Sequence, residues 1–533
     1  MGQNRTLPQA ASAHNPQVTR WMLIALVGLA LILHLWGVRR TLPFAREVDE
    51  DIFVEAAVRI AASGNLNPGW FGNPGSTVIY PLAALYRIWY AIAHRGMFFH
   101  PDPYLQARFN SAFSEFYLLA RFLTIGYAIM SILLVYLIGQ RVWRAEVGLV
   151  GSWFAAICPI AVGHARLVRT DSPATFFGLL ALWLCLRLYD QPTVRNQIWA
   201  GLAIGLGIAT RYFMVVLVPA LLVTDGLILW QRVRQRHRLA NLWPGIVAGL
   251  VTIGIAFALS TPCFFLDLNT ALLNLKAEAR STQLGADGLP PIGNFVWYLT
   301  DAIPYSFAWP RVAFAVVGIG LAIYRRRLSQ ILLAGFTLVF LMATSLHSLH
   351  WRRWVIEILP LLALFAADGL YSLTVRLSTQ LRLKPSGGRG LVLGAIVLIS
   401  AWPTYRLILL DIQHSTPNTG ILAREWILQN LPTGSPIAEE WTTAPLMGTD
   451  FPVLNQYALA AGHTVEDYYR AGYRYIIING AIYELYAAES DRYPSEMAFY
   501  ETLFTKEELL QAFKPSATRG GPTIQIYRLR DRN

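Results

Sequence analysis

Residues 21–38 read WMLIALVGLALILHLWGV, a run without a single Lys, Arg, Asp or Glu. A helix of this length and composition is what a chain needs to cross about 30 Å of hydrocarbon. The run ends in Arg39-Arg40 and no cleavage site of small residues follows it. The sequence therefore predicts a retained first membrane helix and not a cleaved signal peptide.

Similar apolar runs recur along the chain, which is 55% hydrophobic and only 14% charged, with a mean hydropathy of +0.41. Soluble domains carry about 25% charged residues. The block 197–230 is too long for one span, and Thr210-Arg211 divides it into two helices, 198–210 and 213–230. Together with the first run these indicate about eleven spanning helices, the others being 117–140, 147–164, 173–189, 243–261, 309–324, 329–346, 354–374 and 391–410.

The basic loops predict the orientation of the chain. Positive-inside reasoning places four of them in the cytoplasm: 141–144, 231–238, 325–327 and 376–389. With a cytoplasmic N-terminus, this holds only if the segment 77–95 does not cross the membrane. We therefore expect 77–95 to lie in the outer interface as an amphipathic helix, which suits its tyrosines, tryptophan and Arg87.

The composition changes after Tyr405. Residues 411–533 are mixed and turn-rich, with 420–430 predicted as an amphipathic helix and 473–478 and 523–528 as strands. We expect a small extracytoplasmic α/β domain at 411–533 behind a transmembrane domain at 1–410. The excess positive charge belongs to the membrane part, and no basic face on a soluble module indicates nucleic-acid binding. The three cysteines form no disulfide or metal pattern.

Acidic residues are scarce in the membrane part, and four of them follow the first helix directly: Glu47, Asp49, Glu50 and Asp51. One interpretation is structural, with Asp49 as a helix N-cap and the others solvated near the helix dipole. The other is chemical, with a carboxylate that deprotonates an acceptor hydroxyl or binds a cation.

Three further outer turns carry candidate residues. HARLVRTDSP at 164–173 and LHSLHWRRW at 346–354 are both rich in ionisable groups, and Arg211 marks the helix break. Helix caps and snorkelling arginines would explain them structurally. Contacts to a lipid phosphate would explain them functionally. The candidates are Arg169, Asp171, Arg211, His350, Arg352 and Arg353.

The stretch VDEDIFVEAAVRIAASGNLNPGWFGNPGSTVIYPLAALY at 48–86 resembles the first outer loop of the GT-C superfamily of glycosyltransferases. It is most similar to the bacterial branch related to protein O-mannosyltransferases and lipid A aminoarabinose transferases. ARLVRTDSPATFF at 165–177 resembles that family's second outer loop. The chain departs from the family at 73–76, where Asn-Pro-Gly-Ser replaces the frequent Lys-Pro-Pro or His-Pro-Pro.

The resemblance implies a multi-helix core with two interfacial helices in the first outer loop. It implies a membrane enzyme, expected in a bacterial plasma membrane, that transfers a hexosyl or pentosyl group with inversion. The donor would be a polyprenyl-phosphate-linked sugar, and the acceptor a hydroxyl-bearing protein, lipid or glycan outside. Asp49, Glu50 and Asp171 would be catalytic, with Asp49 and Asp171 also expected to hold any divalent cation (Mg²⁺, Mn²⁺ or Zn²⁺). The donor phosphate would be held by Arg169, Arg211, His350, Arg352 and Arg353.

Two other functions remain open from the residues alone. A transporter or flippase of lipid-linked sugars would place charges near the bilayer midplane, and Arg211 is the one feature that could favour it. A non-catalytic scaffold would not need the acidic and cationic outer turns to converge.

Overall fold

The structure, a computed structural model, describes residues 16–44, 47–94, 103–236 and 242–531. The predicted cytoplasmic N-terminus and the last residue of the predicted segment 77–95 lie outside the described residues. The described chain is a helical membrane part followed by a small mixed domain with one five-stranded sheet.

The first part of the chain builds the outer surface on which the candidate residues lie. Its helices are α1 Pro16–Leu35, α2 Glu50–Ser63, α3 Ser76–His94 and α4 Pro103–Val142. α2 ends at Gly64, because glycine there takes a left-handed backbone (φ 74°). α2 and α3 pack on one another and on the first turns of α4 around Phe53, Val78 and Phe116. The non-helical Ala112 interrupts α4.

The next helices are α5 Ala145–Ala156, α6 Pro159–Ala165, α7 Asp171–Asp190, α8 Val194–Thr210, α9 Leu217–Arg234 and α10 Trp243–Ser260. The predicted span over 147–164 corresponds to two helices, α5 and α6, which pass the length and hydropathy test for one span only as a bent pair. The chain bends by 65° between α5 and α6, at Cys158, because Pro159 cannot continue the hydrogen-bond ladder. The predicted break at Thr210-Arg211 is confirmed, since Arg211 is extended (φ −155°, ψ 119°) and a 3₁₀ turn, Tyr212–Val216, follows it.

The remaining membrane part contains α11 Pro262–Leu266, α12 Leu268–Glu278, α13 Pro291–Trp297, a π-helical turn Tyr298–Ala302, α14 Ile303–Phe307, α15 Trp309–Arg325, α16 Leu328–Ser345, a 3₁₀ turn Arg352–Val355, α17 Leu359–Gln380 and α18 Pro385–Ser415. Pro291–Phe307 meets α15 at a bend of 117° at Ala308. α18 runs across the predicted domain boundary at 410/411, so the division stays a prediction.

Eight helices of the described chain are long and apolar enough to cross a membrane, or up to ten if each of two bent pairs is one span. The protein is therefore polytopic, and the predicted number of eleven stays unconfirmed. α8 is a single helix of 17 residues, at the short end for a span. α3 is not among the eight, and its predicted place in the interface stays a prediction.

The C-terminal part folds as α19 Thr419–Asn430, β1 Ile437–Glu440, β2 Val453–Gln456, α20 Val465–Arg470, β3 Tyr475–Asn479, α21 Gly480–Ala488, α22 Pro494–Lys506, β4 Glu508–Phe513 and β5 Ile524–Arg528. The strand order is β2-β1-β3-β5-β4, with β2, β1 and β3 parallel and β5 antiparallel to both neighbours. The predicted helix at 420–430 and the two predicted strands are confirmed.

Two polar contacts join this part to the membrane part. Gln413 Nε2, near the end of α18, donates to the carbonyl of Ala517 at 3.1 Å. Arg492 pairs with Asp287, which lies between α12 and α13.

A buried ion pair between Glu50 and Arg121 joins the start of α2 to α4. Nε and Nη2 of Arg121 donate to the two carboxylate oxygens at 2.9 and 2.7 Å, and both side chains are fully buried. Arg121 Nη1 also donates to the carbonyls of Val38 and Arg40, at 2.8 and 3.0 Å. The N–H of Val168 donates to the Glu50 carboxylate at 3.0 Å. One carboxylate therefore fixes α2, α4 and the turn between α6 and α7.

Glu50→Gln should destabilise the protein strongly, because it keeps the side-chain shape but leaves the Arg121 charge buried without a counter-ion. Breaking a buried pair in this way costs about 3–5 kcal/mol. The apparent melting temperature in detergent, followed by tryptophan fluorescence, should fall clearly. Arg470→Gln is the control, since it removes an exposed pair with Glu466 worth about 0.3–0.5 kcal/mol. Equal losses in the two variants would contradict the anchoring role of Glu50.

Candidate active site

Asp49 is the accessible carboxylate of the acidic cluster. It occupies the N-cap position of α2 in a left-handed backbone (φ 69°, ψ −8°), which aspartate tolerates better than most residues, and its side chain caps no helix N–H. Its Oδ2 instead lies 3.3 Å from Nη1 of Arg353 and 3.4 Å from Nη2 of Arg169, and 38% of the side chain is exposed. Arg169 also donates to the Val48 carbonyl at 2.7 Å, which fixes the backbone next to Asp49.

A second group of charges lies around Arg211. Its Nη1 is 3.2 Å from Oδ1 of Asp171 at the start of α7 and 2.5 Å from Oε1 of Glu357 just before α17. His164 Nδ1 lies 3.7 Å from the other oxygen of Asp171. One arginine from the helix break therefore serves two buried carboxylates from two other turns.

Several buried polar atoms around these groups have no hydrogen-bond partner within the described part of the chain. They are Nε of Arg353, Oε2 of Glu357 and Oδ1 of Asn73, whose amide nitrogen donates to Thr170 next to Asp171. Buried polar atoms in native proteins are nearly always satisfied by protein, water or a ligand. These three atoms are therefore open to hydrogen bonds with water or with a polar ligand.

Burial raises the pKa of Glu357 to about 7, and the nearby Asp171 acts in the same direction while Arg211 opposes both. A single guanidinium shared by two carboxylates cannot fully offset the desolvation of both. The charge of Glu357 therefore changes near neutral pH.

The other predicted site residues lie differently. Glu50 is fully buried and both its oxygens accept hydrogen bonds within the fold, so its predicted catalytic role is corrected to one of positioning. Arg352 pairs with Asp301 at 2.7 and 3.0 Å, and its guanidinium lies over the Tyr305 ring. These contacts already occupy the side chain that was predicted to bind the donor phosphate. His350 stacks on Trp297 with ring centroids 4.0 Å apart. Desolvation lowers the pKa of His350, which favours its neutral form and makes it a poor phosphate ligand.

The predicted divalent cation finds an unfavourable donor set. No group of three or more His, Cys, Asp or Glu residues that could hold a metal occurs among the residues that the structure describes. Arginine nitrogens lie within 3.4 Å of both Asp49 and Asp171, where a cation would be repelled. The metal role of these two residues stays a prediction, and no chemical step below passes through it.

Three residues of the site were missed from the sequence: Glu357, His164 and Arg121. Glu357 lies inside the predicted span 354–374, and an acidic residue in an apolar run is itself a signal of function. His164 opens the quoted turn 164–173. Arg121 lies within the predicted span 117–140, so it carries the same signal as Glu357, although nothing local identifies Glu50 as its partner.

An apolar groove of about 470 Å³ lies among the membrane helices. Its lining includes Tyr80, Pro81, Phe177, Leu206 and Leu259, from α3, α7, α8 and α10. Its lining also includes Thr77, whose hydroxyl is 2.6 Å from that of Thr210, the residue before Arg211. One hydrogen bond therefore joins the groove to the helix break that carries Arg211.

Comparisons with known proteins agree with this architecture. Residues 102–260 match the dolichyl-phosphate-mannose-protein mannosyltransferase family. The chain is 34% identical over 139 residues to the undecaprenyl phosphate-alpha-4-amino-4-deoxy-L-arabinose arabinosyl transferase 2 of Pseudomonas fluorescens, which covers 24% of this chain. That match spans only 22% of the length of the curated relative.

Solved structures match over most of the chain. The crystal structure of ArnT from Cupriavidus metallidurans in the apo state superposes with a TM-score of 0.51 and 14% identity, covering 96% of this chain and 98% of that one. The Archaeoglobus fulgidus oligosaccharyltransferase tethered with an acceptor peptide gives a TM-score of 0.52 and 13% identity, covering 94% and 74%. The fold is thus shared with these solved proteins. Together with the family match at 102–260 and the P. fluorescens relative, it confirms the resemblance noted in the sequence.

Arg211→Gln should destabilise the protein, because it leaves Asp171 and Glu357 buried without their shared counter-charge. Adding Glu357→Gln removes one of those two charges, so the double variant should be more stable than Arg211→Gln alone. Coupling energies between contacting residues are about 0.5–3 kcal/mol. A double-variant cycle of melting temperatures measures the coupling, and strict additivity of the two changes would contradict the shared-arginine geometry.

Proposed function

We propose that the protein is a membrane glycosyltransferase that moves a sugar from a polyprenyl-phosphate donor to an extracytoplasmic hydroxyl acceptor. The observation that carries this proposal is the accessible carboxylate of Asp49, held between Arg169 and Arg353, two arginines from separate outer turns. The comparisons support it, since the named P. fluorescens relative and the ArnT structure bound to undecaprenyl phosphate both involve this class of lipid.

In the proposed reaction, the acceptor oxygen attacks the anomeric carbon from the side opposite the phosphate, with inversion. Asp49 takes the proton of the attacking hydroxyl. The bond between the anomeric carbon and the phosphate oxygen breaks, and its electron pair leaves with the polyprenyl phosphate. Arginines aimed at that phosphate stabilise the charge that develops on it.

Arg169 and Arg353 are the proposed first contacts of the donor phosphate, with Arg211 behind them. Nε of Arg353 is a buried donor without a partner in the described chain, which suits an incoming anion. The prenyl chain would lie in the apolar groove, which the hydrogen bond between Thr77 and Thr210 joins to the helix break. Arg352 could join only by giving up Asp301.

The two alternative functions are less well supported. Arg211 lies in a cluster with residues from the starts of α7 and α17, and not alone in mid-helix as a transporter site would suggest. The acidic and cationic turns converge, whereas a scaffold would not require it. We place the site and the C-terminal domain outside a bacterial inner membrane, following the orientation that the basic loops indicate.

Asp49→Asn should abolish sugar transfer while leaving donor binding nearly intact, because the amide cannot accept the proton of the attacking hydroxyl. General-base catalysis is worth about 10²–10⁴-fold in rate. Transfer would be measured with the purified protein in lipid nanodiscs, a radiolabelled polyprenyl-phosphate sugar and candidate acceptors.

Glu501→Gln serves as the matched control, since Glu501 is an exposed acid on α22 and its carboxylate has no role in the site. It should leave turnover unchanged. A folded Asp49→Asn protein that retains full transfer would exclude Asp49 as the base.

Donor affinity should weaken as the pH rises through about 7. Below that pH Glu357 is protonated, so less of the positive charge of Arg211 is neutralised. The guanidinium then attracts the phosphate more strongly. Above it Glu357 ionises and neutralises Arg211. The dissociation constant of a phosphodiester-linked sugar donor should rise about 3- to 10-fold between pH 6 and 8.

The probe must be a phosphodiester, because a phosphate monoester itself titrates near pH 6. Binding would be followed by isothermal titration in nanodiscs without acceptor. Glu357→Gln should remove the pH dependence. A dependence that persists unchanged in this variant would assign it to another group.

A further inference from the structure

A second cleft, of about 550 Å³, lies between the first outer loop and the C-terminal domain. The loop contributes Phe44 and Asp51 to its lining. The domain contributes the end of β1, the loop between β1 and β2, and the start of β2. None of the residues proposed to bind the donor phosphate lines this cleft, so it is a separate site.

The inner wall of the cleft contains a buried acid, Glu439. The Thr443 hydroxyl donates to the carbonyl of Glu440 at 2.6 Å and lies 3.0 Å from Oε2 of Glu439, to which it also donates. Burial raises the pKa of Glu439 to about 7, although the hydrogen bonds from Asn455 and Thr443 act in the opposite direction. Its other oxygen accepts from Asn455 Nδ2 at 2.8 Å.

The charge of the cleft is opposite to that of the donor site. Its lining contains no lysine or arginine among the described residues, and Asp51 stands at its wall as an exposed carboxylate. An anionic group in the cleft would meet the Asp51 carboxylate, which repels it. The remaining polar lining is hydroxyl and amide, from Thr442, Thr443, Thr449 and Asn455, and these groups both donate and accept hydrogen bonds.

Apolar surface complements these polar groups. Phe44 is 38% exposed and Met447 is 61% exposed, and both line the cleft. The guanidinium of Arg424 lies 4.9 Å from the Phe44 ring and donates to the Pro445 carbonyl, which holds the ring in place without lining the cleft itself. A cavity of this volume with a few convergent polar groups and an aromatic face is typical of small-molecule sites.

The cleft shares a helix start with the proposed base. Asp51 is in the first turn of α2, two residues after Asp49, so the helix start that carries the base also forms one wall of the cleft.

We propose that this cleft binds the acceptor, and that the acceptor is an uncharged, polyhydroxylated sugar unit of a glycan. That the bound sugar is the acceptor rests on the proposed transferase function. That the cleft binds an uncharged sugar does not depend on it. The hydroxyl and amide groups would hydrogen-bond the sugar hydroxyls, and Phe44 would pack against the apolar face of the ring. Asp51 would exclude acceptors with phosphate or carboxylate groups.

The test is direct glycan binding to the full-length protein in nanodiscs, measured by saturation-transfer NMR without any donor. The probes are uncharged gluco-, manno-, galacto- and arabino-oligosaccharides, together with their phosphorylated and uronic-acid counterparts. At least one uncharged probe should bind, and the charged counterparts should bind more weakly. Asn455→Ala should weaken binding about tenfold, through loss of a hydrogen-bonding amide.

Met447→Trp fills the cleft from an exposed position and should abolish glycan binding. Leu509→Trp, at an exposed position on the edge strand β4, is the matched control and should leave binding unchanged. Neither variant should alter donor affinity. Absence of binding by every uncharged probe, preferential binding of the charged ones, or equal binding by Met447→Trp and the unaltered protein would each overturn the proposal.

A parallel transfer assay separates the two proposals. If transfer occurs but Asn455→Ala and Met447→Trp leave the acceptor KM unchanged, the cleft is not the acceptor site while the transferase function stands. If uncharged sugars bind in the cleft but no donor is ever turned over, the transferase function fails and the sugar site stands.

Discussion

The buried pair between Glu50 and Arg121 determines where the two candidate carboxylates lie. Glu50 and Asp49 are neighbours in the chain, yet one is fully buried and the other is exposed beside two arginines. Because the same Glu50 carboxylate accepts the Val168 N–H, it also fixes the turn that leads to Asp171. One buried ion pair thus fixes both the helix start that carries Asp49 and the turn that leads to Asp171. The pair itself is fully buried and is not exposed at the candidate site.

Sequence patterns revealed the long apolar helices, the break before Arg211 and the mixed C-terminal part, because each depends on local composition. They did not separate Glu50 from Asp49, since which carboxylate turns inward depends on Arg121, 71 residues further along the chain. The bend at Cys158 was hidden because its flanks are uniformly apolar, although Pro159 was visible. Strands β1 and β2, with four residues each, are too short to show a period and form only through pairing with one another and with β3.

The two cavities divide the chemistry between them. The lining of the first groove is almost wholly apolar and suits a prenyl chain, whereas the polar lining of the second cleft is hydroxyl, amide and carboxyl. The start of α2 carries Asp49 and contributes Asp51 to the second cleft. Substitutions in the loop between β1 and β2 would therefore change the ligand of the second cleft without disturbing the arginines, which belong to turns of the membrane part.

The carboxylates of the arginine cluster balance its positive charge. With every group ionised, the three positive charges of Arg169, Arg211 and Arg353 are matched by the three negative charges of Asp49, Asp171 and Glu357. The carboxylates therefore orient the arginines and offset part of the free-energy cost of their desolvation before any ligand binds. A phosphodiester adds one negative charge, and a proton on Glu357 offsets it. In the proposed reaction, release of a phosphate monoester would increase the negative charge again. The proton that Asp49 would take from the acceptor removes a negative charge at that same moment, so proton transfer and leaving-group stabilisation would support each other within one cluster.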